Sequence, residues 1–215
     1  MLALVKSNDF MMKLFGIGFL LLSSLGALGQ GAPALDIFTS PDGTFQFAYP
    51  ENYERLVGER ILKATQGKHL GIPVCDFSTA LVCVIYPIER LDTPGLEGGG
   101  FSVGIVPGVT NESDCLAYAD RRAQAHGQGF QPSSFGINGR VFRYVFAKRT
   151  TAGHSQSADL YRTFQKERCY ELRIAVSFSG ESTAQQPSSS KSLEDAKTDS
   201  VRESLKLILS SLVFR

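Results

Sequence analysis

Ten consecutive residues, Cys169 to Phe178, alternate so regularly that they leave one local structure open to this part of the chain. Tyr170, Leu172, Ile174, Val176 and Phe178 fall on one side, and Cys169, Glu171, Arg173, Ala175 and Ser177 on the other. A period of two over that length is a β-strand with one wholly apolar face; a helix would scatter the same residues around its circumference. Such a strand needs partners, and two runs upstream, Val141 to Phe146 and about Leu160 to Gln165, provide them as an antiparallel meander.

The remaining signals build around that meander. Pro41-Asp42-Gly43 reads as a turn, followed by Phe45, Phe47 and Tyr49 alternating with Gln46 and Ala48 in a half-buried strand stopped by Pro50. Ala80 to Tyr86 is apolar on both faces and reads as a central strand. Residues 92–100, with Gly98-Gly99-Gly100, read as a flexible loop leading to a strand from Phe101 to Val106. Asn111 opens a helix that runs to about Gly127, with Asp114 favouring its N-terminal dipole and Leu116, Ala119 and Ala123 as its buried stripe. Residues 179–192, rich in Ser, Gln and Pro, read as a mobile loop. A closing helix starts at about Asp195 or Ser200. Ser200-Val201-Arg202-Glu203 fits a capping box, and Val201, Leu205, Ile208 and Leu212 form the buried repeat. The expectation is a single α+β domain: an antiparallel sheet of five or six strands with two main helices packed on it, as an α/β/α sandwich.

In front of that domain, Lys6 and Lys13 precede an apolar run from Leu14 to Leu22, and small residues follow at Ala27-Leu28-Gly29. This is the order of a cleavable signal peptide, and the run is too short to span a bilayer comfortably. We therefore divide the chain into a signal peptide, 1–29, and a mature domain, 30–215, secreted or periplasmic, with no stable membrane span after cleavage. Cleavage removes Lys6, Lys13 and Asp9 and leaves equal numbers of basic and acidic residues. That balance argues against nucleic acid or anionic lipid as a partner, since both are recognised through an excess of Lys and Arg. Four cysteines, Cys75, Cys83, Cys115 and Cys169, all lie in the mature part. In an oxidising compartment they make two disulfides by one of three connectivities, of which we favour Cys75–Cys83 and Cys115–Cys169. No Cys-x-x-Cys occurs and no His stands at ligand spacing, so no metal is expected.

The order of elements resembles the Mog1/PsbP-like domains. The features that carry the resemblance are the aromatic strand ending in Tyr49-Pro50, the mid-chain helix before a meander, and the terminal helix closing on Ser210-Ser211-Leu212-Val213-Phe214. The resemblance covers about residues 37–215. It implies an antiparallel sheet with helices on both sides and a binding or assembly role without an invariant catalytic set or cofactor. The cysteines stand outside that pattern.

Chemistry-bearing residues are few. A serine hydrolase needs a nucleophile, a base and an orienting acid, and no Gly-x-Ser-x-Gly elbow occurs. Of three histidines, His69 reads as a loop residue and His126 as the last turn of the mid-chain helix, whereas His154 reads as part of a hairpin connection that could line a site. Arg121-Arg122, and Arg140 with Arg143, could bind an acidic group but equally make a solvated face. Asn111-Glu112-Ser113 matches a glycosylation sequon. The sequence thus favours a non-enzymatic module that binds an envelope or secreted protein through the loops at 92–100 and 179–192. The alternative is a small secreted hydrolase or ligand-binding enzyme with a site at His154, Arg143 and Tyr161. No catalytic residue and no cofactor is assigned.

Overall fold

The computed structural model describes residues 34–61, 75, 79–87, 95–117, 133–151, 154–179 and 188–215. The expected signal segment, His69, Arg121, Arg122 and His126 lie outside them, as do residues 118–127 of the expected mid-chain helix.

Among the described residues ten strands form two antiparallel sheets. The small sheet has the order β1-β2-β10, from β1 (Leu35–Thr39), β2 (Phe45–Pro50) and β10 (Val213–Phe214). The large sheet has the order β3-β4-β5-β9-β8-β7-β6, from β3 (Glu54–Val57), β4 (Ala80–Ile85), β5 (Leu96–Ile105), β6 (Ser133–Ile137), β7 (Arg140–Thr151), β8 (His154–Gln165) and β9 (Arg168–Ser179). One long helix, Ser188–Ser210, precedes β10. The fold is α+β, with more strands than the five or six expected and a second sheet. Among the described residues no helix is long and apolar enough to cross a membrane.

The alternating strand sits at the centre of the large sheet as β9, and its apolar face is the main core. Tyr170, Leu172, Ile174, Val176 and Phe178 are all buried, beside Phe101 and Val103 of β5 and Val82 and Val84 of β4. Phe45, Phe47 and Tyr49 of the small sheet close over this face together with Val201, Leu205 and Ile208 of the helix and Leu212 just beyond its end. The helical repeat of four, three and four is therefore the stripe that packs. At full burial, each such side chain contributes about 1.5–3 kcal/mol. The opposite face of β9 is buried too: Cys169, Glu171, Ala175 and Ser177 have little exposed area.

The Pro41-Asp42-Gly43 turn forms as read. Gly43 takes φ 68°, and its N–H donates to the Ser40 carbonyl at 2.8 Å. The Ser40 hydroxyl first, then the Thr44 amide, with Arg168 contributing, hold the Asp42 carboxyl down at about 2. A carboxyl depressed from 3.8 stabilises the fold fully above about pH 4, and that contribution is lost as pH falls towards 2. Urea midpoints of wild type and Asp42→Ala should accordingly converge between pH 4 and pH 2; midpoints that keep a constant separation there would contradict this assignment.

Two expectations change. First, the glycine-rich segment is not a loop: Leu96–Gly100 belongs to β5 and pairs with β9, with a bulge between Leu96 and Gly98. The reason is the helix above it. A Cβ on Gly99 would stand 2.9 Å from Val201 Cγ1 and 3.3 Å from Tyr86 Cβ, so only glycine lets the helix approach the sheet here. Gly99→Val should cost about 1–3 kcal/mol by overpacking, measured by urea unfolding, with partial recovery when Val201→Ala is added. Second, the closing helix starts at Ser188, so residues 188–192 of the expected mobile loop are helical; residues 180–187 are outside the described set. Ser200 is consequently interior to the helix and caps nothing. Its carbonyl accepts from the Ser204 hydroxyl, and Glu203 pairs with Lys206 instead of reaching back.

Asn111 does cap a helix, of which residues 112–117 are described. Its Oδ1 accepts from the Asp114 amide and its Nδ2 donates to the Asp114 carboxylate, each at 2.8 Å. Both disulfides form with the favoured connectivity, Cys75–Cys83 and Cys115–Cys169, with Cα separations of 6.1 and 5.4 Å. The second fastens residues 112–117 to the face of β9 opposite the long helix, so helical structure flanks both sides of the sheet.

Candidate functional site: a cleft between the long helix and the sheet

Register decides what the sheet can present, because directly paired residues share a face. On the face covered by the long helix, one row runs Phe146–Asp159–Ile174 and the next runs Lys148–Ser157–Val176. Ser155 and Phe178 continue it towards the end of the sheet. The helix stripe Val201–Leu205–Ile208 covers the deeper rows. At Thr198 and Asp199 the helix stands off the sheet and leaves a cleft of about 370 Å³. Its floor is Phe146, Lys148, Ser155, Ser157, Val176 and Phe178, and its wall is Thr198, Asp199 and Arg202.

The base of the cleft is charged and internally paired. Arg202 is nearly buried, and each of its three nitrogens has a partner. Nε lies 3.0 Å from Asp159 Oδ2, an ionic contact without the alignment of a hydrogen bond. Nη1 donates to Asp199 Oδ1 at 2.8 Å and Nη2 to Ser157 Oγ at 2.6 Å. Its guanidinium also lies 5.4 Å from the centre of the Phe146 ring, a cation–π geometry. Asp159, 2% exposed, accepts from the Tyr144 hydroxyl at 2.8 Å through Oδ1. Burial first, then the Asp159 charge, push the Tyr144 phenol well above its usual range, so it stays protonated and donates. Tyr161 beside it is raised for the same leading reason, burial.

The residues expected to form a hydrolase site do not meet. Tyr161 is buried in the core on the long-helix face, whereas Arg143 and His154 are on the opposite face. His154 pairs with Thr151 and Arg143 lies eight residues further along β7, roughly 27 Å away at strand spacing. Arg143 stands in register with Arg162, which forms a buried ion pair with Glu171 across β8 and β9. His154 Nδ1 is 2.7 Å from Glu97 Oε1, a contact that spans the end of β9 and joins β8 to the bulge of β5. That is a fastening between strands. Among the described residues no group of three or more His, Cys, Asp or Glu could hold a metal ion.

Sequence reading passed over the two residues that organise the cleft. Arg202 reads as part of a cap and Asp159 precedes the strand expected from Leu160. The available signal was Asp159 inside a run, Ser157 to Thr163, that alternates in register with the meander.

No protein-family model matches the chain, and no curated protein matches it in sequence. Among solved structures it is similar to a protein from Bacteroides thetaiotaomicron, at 13% identity and a TM-score of 0.44, over 83% of this chain. This chain spans about half (48%) of the length of that one. It is also similar to the cyanobacterial PsbP (CyanoP) of Synechocystis, at 13% identity and a TM-score of 0.45, over 89% of this chain and 99% of that one. A third is LpqN of Mycobacterium tuberculosis, a protein involved in cell envelope biogenesis, at 9% identity and a TM-score of 0.45, over 84% and 90%.

Proposed function

We propose that the mature domain is a non-enzymatic binding module that acts outside the cytoplasm, and that the cleft between the long helix and β7–β9 is where it binds. The observation that carries this reading is the pairing at the base of the cleft. Asp159, Arg202 and Tyr144 satisfy one another, so the charged groups there build a shaped surface and none is set up to attack or to move a proton. The leader-like segment before residue 30 and the two disulfides support the location, since disulfides persist in oxidising compartments. Of the segments first expected to bind, Leu96–Gly100 is sheet and 188–192 is helix, while 92–94 and 180–187 lie outside the described residues.

The test is equilibrium dialysis of the purified oxidised protein against a cell-envelope extract, with small molecules and short peptides quantified on both sides by mass spectrometry. This reading expects at least one component enriched on the protein side and recovered with its mass unchanged. Consumption of a component with appearance of a product would overturn the non-enzymatic part. No enrichment at all would overturn the binding part.

A further inference from the structure

We infer that the cleft takes a small zwitterionic ligand with an apolar side chain: a free apolar amino acid or a peptide of two or three residues. The inference rests on the reading of the protein as a binding module and adds the chemistry of what is bound.

Three features of the cleft converge on that class. The first is charge. Two cations, Lys148 and Arg202, and two carboxylates, Asp159 and Asp199, stand at or just beneath its surface. Among the described residues these charges balance, which gives no reason to prefer a net anion or cation, and Arg202 is already committed to three partners within the protein. The groups left for a ligand are Lys148, exposed and without a hydrogen bond or ion pair among the described residues, and the second oxygen of Asp199, whose Oδ1 alone serves Arg202. One positive and one negative group line the same cleft, on its floor and its wall. A ligand carrying one carboxylate and one ammonium satisfies both.

The second feature is the hydroxyl at the base. Ser157 Oγ accepts from Arg202, which leaves its own proton free to donate, and it sits directly across the β7–β8 ladder from Lys148. A carboxylate drawn to Lys148 therefore meets a hydroxyl donor beside it. The third is the apolar floor: the half-buried Phe146 ring lines it, with Val176 and Phe178 packed beneath, and offers an apolar surface to a side chain. At about 370 Å³ the cleft is at the small end of ligand sites, which span roughly 300–1,000 Å³, and this matches an amino acid or dipeptide.

The experiment is calorimetric titration of the oxidised protein with four probes: phenylalanine, Ala-Phe, N-acetylphenylalanine and phenylethylamine. Either phenylalanine or Ala-Phe should bind saturably, and which of them binds more tightly separates the free amino acid from the peptide. The two probes lacking one charge should bind roughly tenfold or more weakly, because each loses a charge-assisted contact. Lys148→Gln should weaken the zwitterion and leave phenylethylamine unaffected; Asp199→Asn should weaken the zwitterion and leave N-acetylphenylalanine unaffected. Thermal melts of both variants verify that they remain folded. Equal affinity for all four probes, unchanged zwitterion binding in both variants, or no saturation by either zwitterion at millimolar concentration would overturn the inference. If the dialysis experiment enriches another component while the zwitterions fail, the ligand class falls and the binding module stands. If dialysis also enriches nothing, both fall.

Discussion

Arg202→Ala should lower the stability of the folded domain by about 3–5 kcal/mol, a large fraction of what a domain of this size has to lose. The arginine is the counter-charge of a carboxylate that water does not reach: Asp159 is 2% exposed, and apart from the Tyr144 hydroxyl it has only Arg202 for company. Without the guanidinium, Asp159 becomes an unpaired buried charge, and the cost is its desolvation rather than the strength of one contact. The exposed Asp199 contact should matter far less, so Asp199→Ala should cost under about 1 kcal/mol. The double change Asp159→Leu with Arg202→Met should recover most of the loss, since a buried ion pair exchanged for apolar groups of similar size is near neutral. Urea unfolding followed by circular dichroism measures all three against wild type. If Arg202→Ala cost less than 1 kcal/mol, the base of the cleft would not be the closed ionic unit described.

Loss of the Cys115–Cys169 bridge should cost about 4 kcal/mol, and loss of Cys75–Cys83 about 2.5 kcal/mol, both from the chain entropy that each removes from the unfolded state. The ordering follows from the sequence separations of 54 and 8 residues. Among the described residues the longer bridge sits in a small cluster with Val106, Val109 and Phe164. Paired Cys→Ala variants are the right comparison, because all four positions are fully buried and a serine hydroxyl would add its own penalty. Guanidinium midpoints measured without reductant should fall further for Cys115→Ala/Cys169→Ala than for Cys75→Ala/Cys83→Ala. The reverse order would mean that native-state packing around the bridges, not loop closure, sets their value.

Where apolar residues recur at a regular period, the structure was legible in the sequence. β2 shows its alternation in Phe45, Phe47 and Tyr49, β9 over ten residues, and the end of the long helix in Val201, Leu205 and Ile208, with Leu212 just beyond it. The first half of that helix carries only Leu193 and Ala196 among polar residues, so periodicity offers no sign of it. Glycine misled in the opposite direction. Gly98-Gly99-Gly100 reads as flexibility, yet it is a strand whose missing side chains admit the helix. β6 had a signal that went unused: Asn138-Gly139, both with positive φ, is the two-residue turn that joins β6 to β7. Asn138 further donates to the Ser210 and Leu212 carbonyls, fastening that hairpin to the end of the helix. The candidate site was less legible than the fold. Its parts lie on three strands and a helix, and only register places Lys148, Ser157 and Val176 in one row beneath Asp199 and Arg202. His154, Arg143 and Tyr161 were chosen by residue type, and register separates them.

The cleft as the place of binding is the central claim, and filling it is the most direct test. Ser155 lines its floor on β8, half-buried, where a large aromatic side chain suits the strand and occupies the opening. Equilibrium dialysis against the same envelope extract should show the component enriched by the wild-type protein falling to background with Ser155→Trp, while the two proteins melt within a few degrees of each other. Enrichment undiminished in Ser155→Trp would place the binding site elsewhere on the molecule and contradict the account.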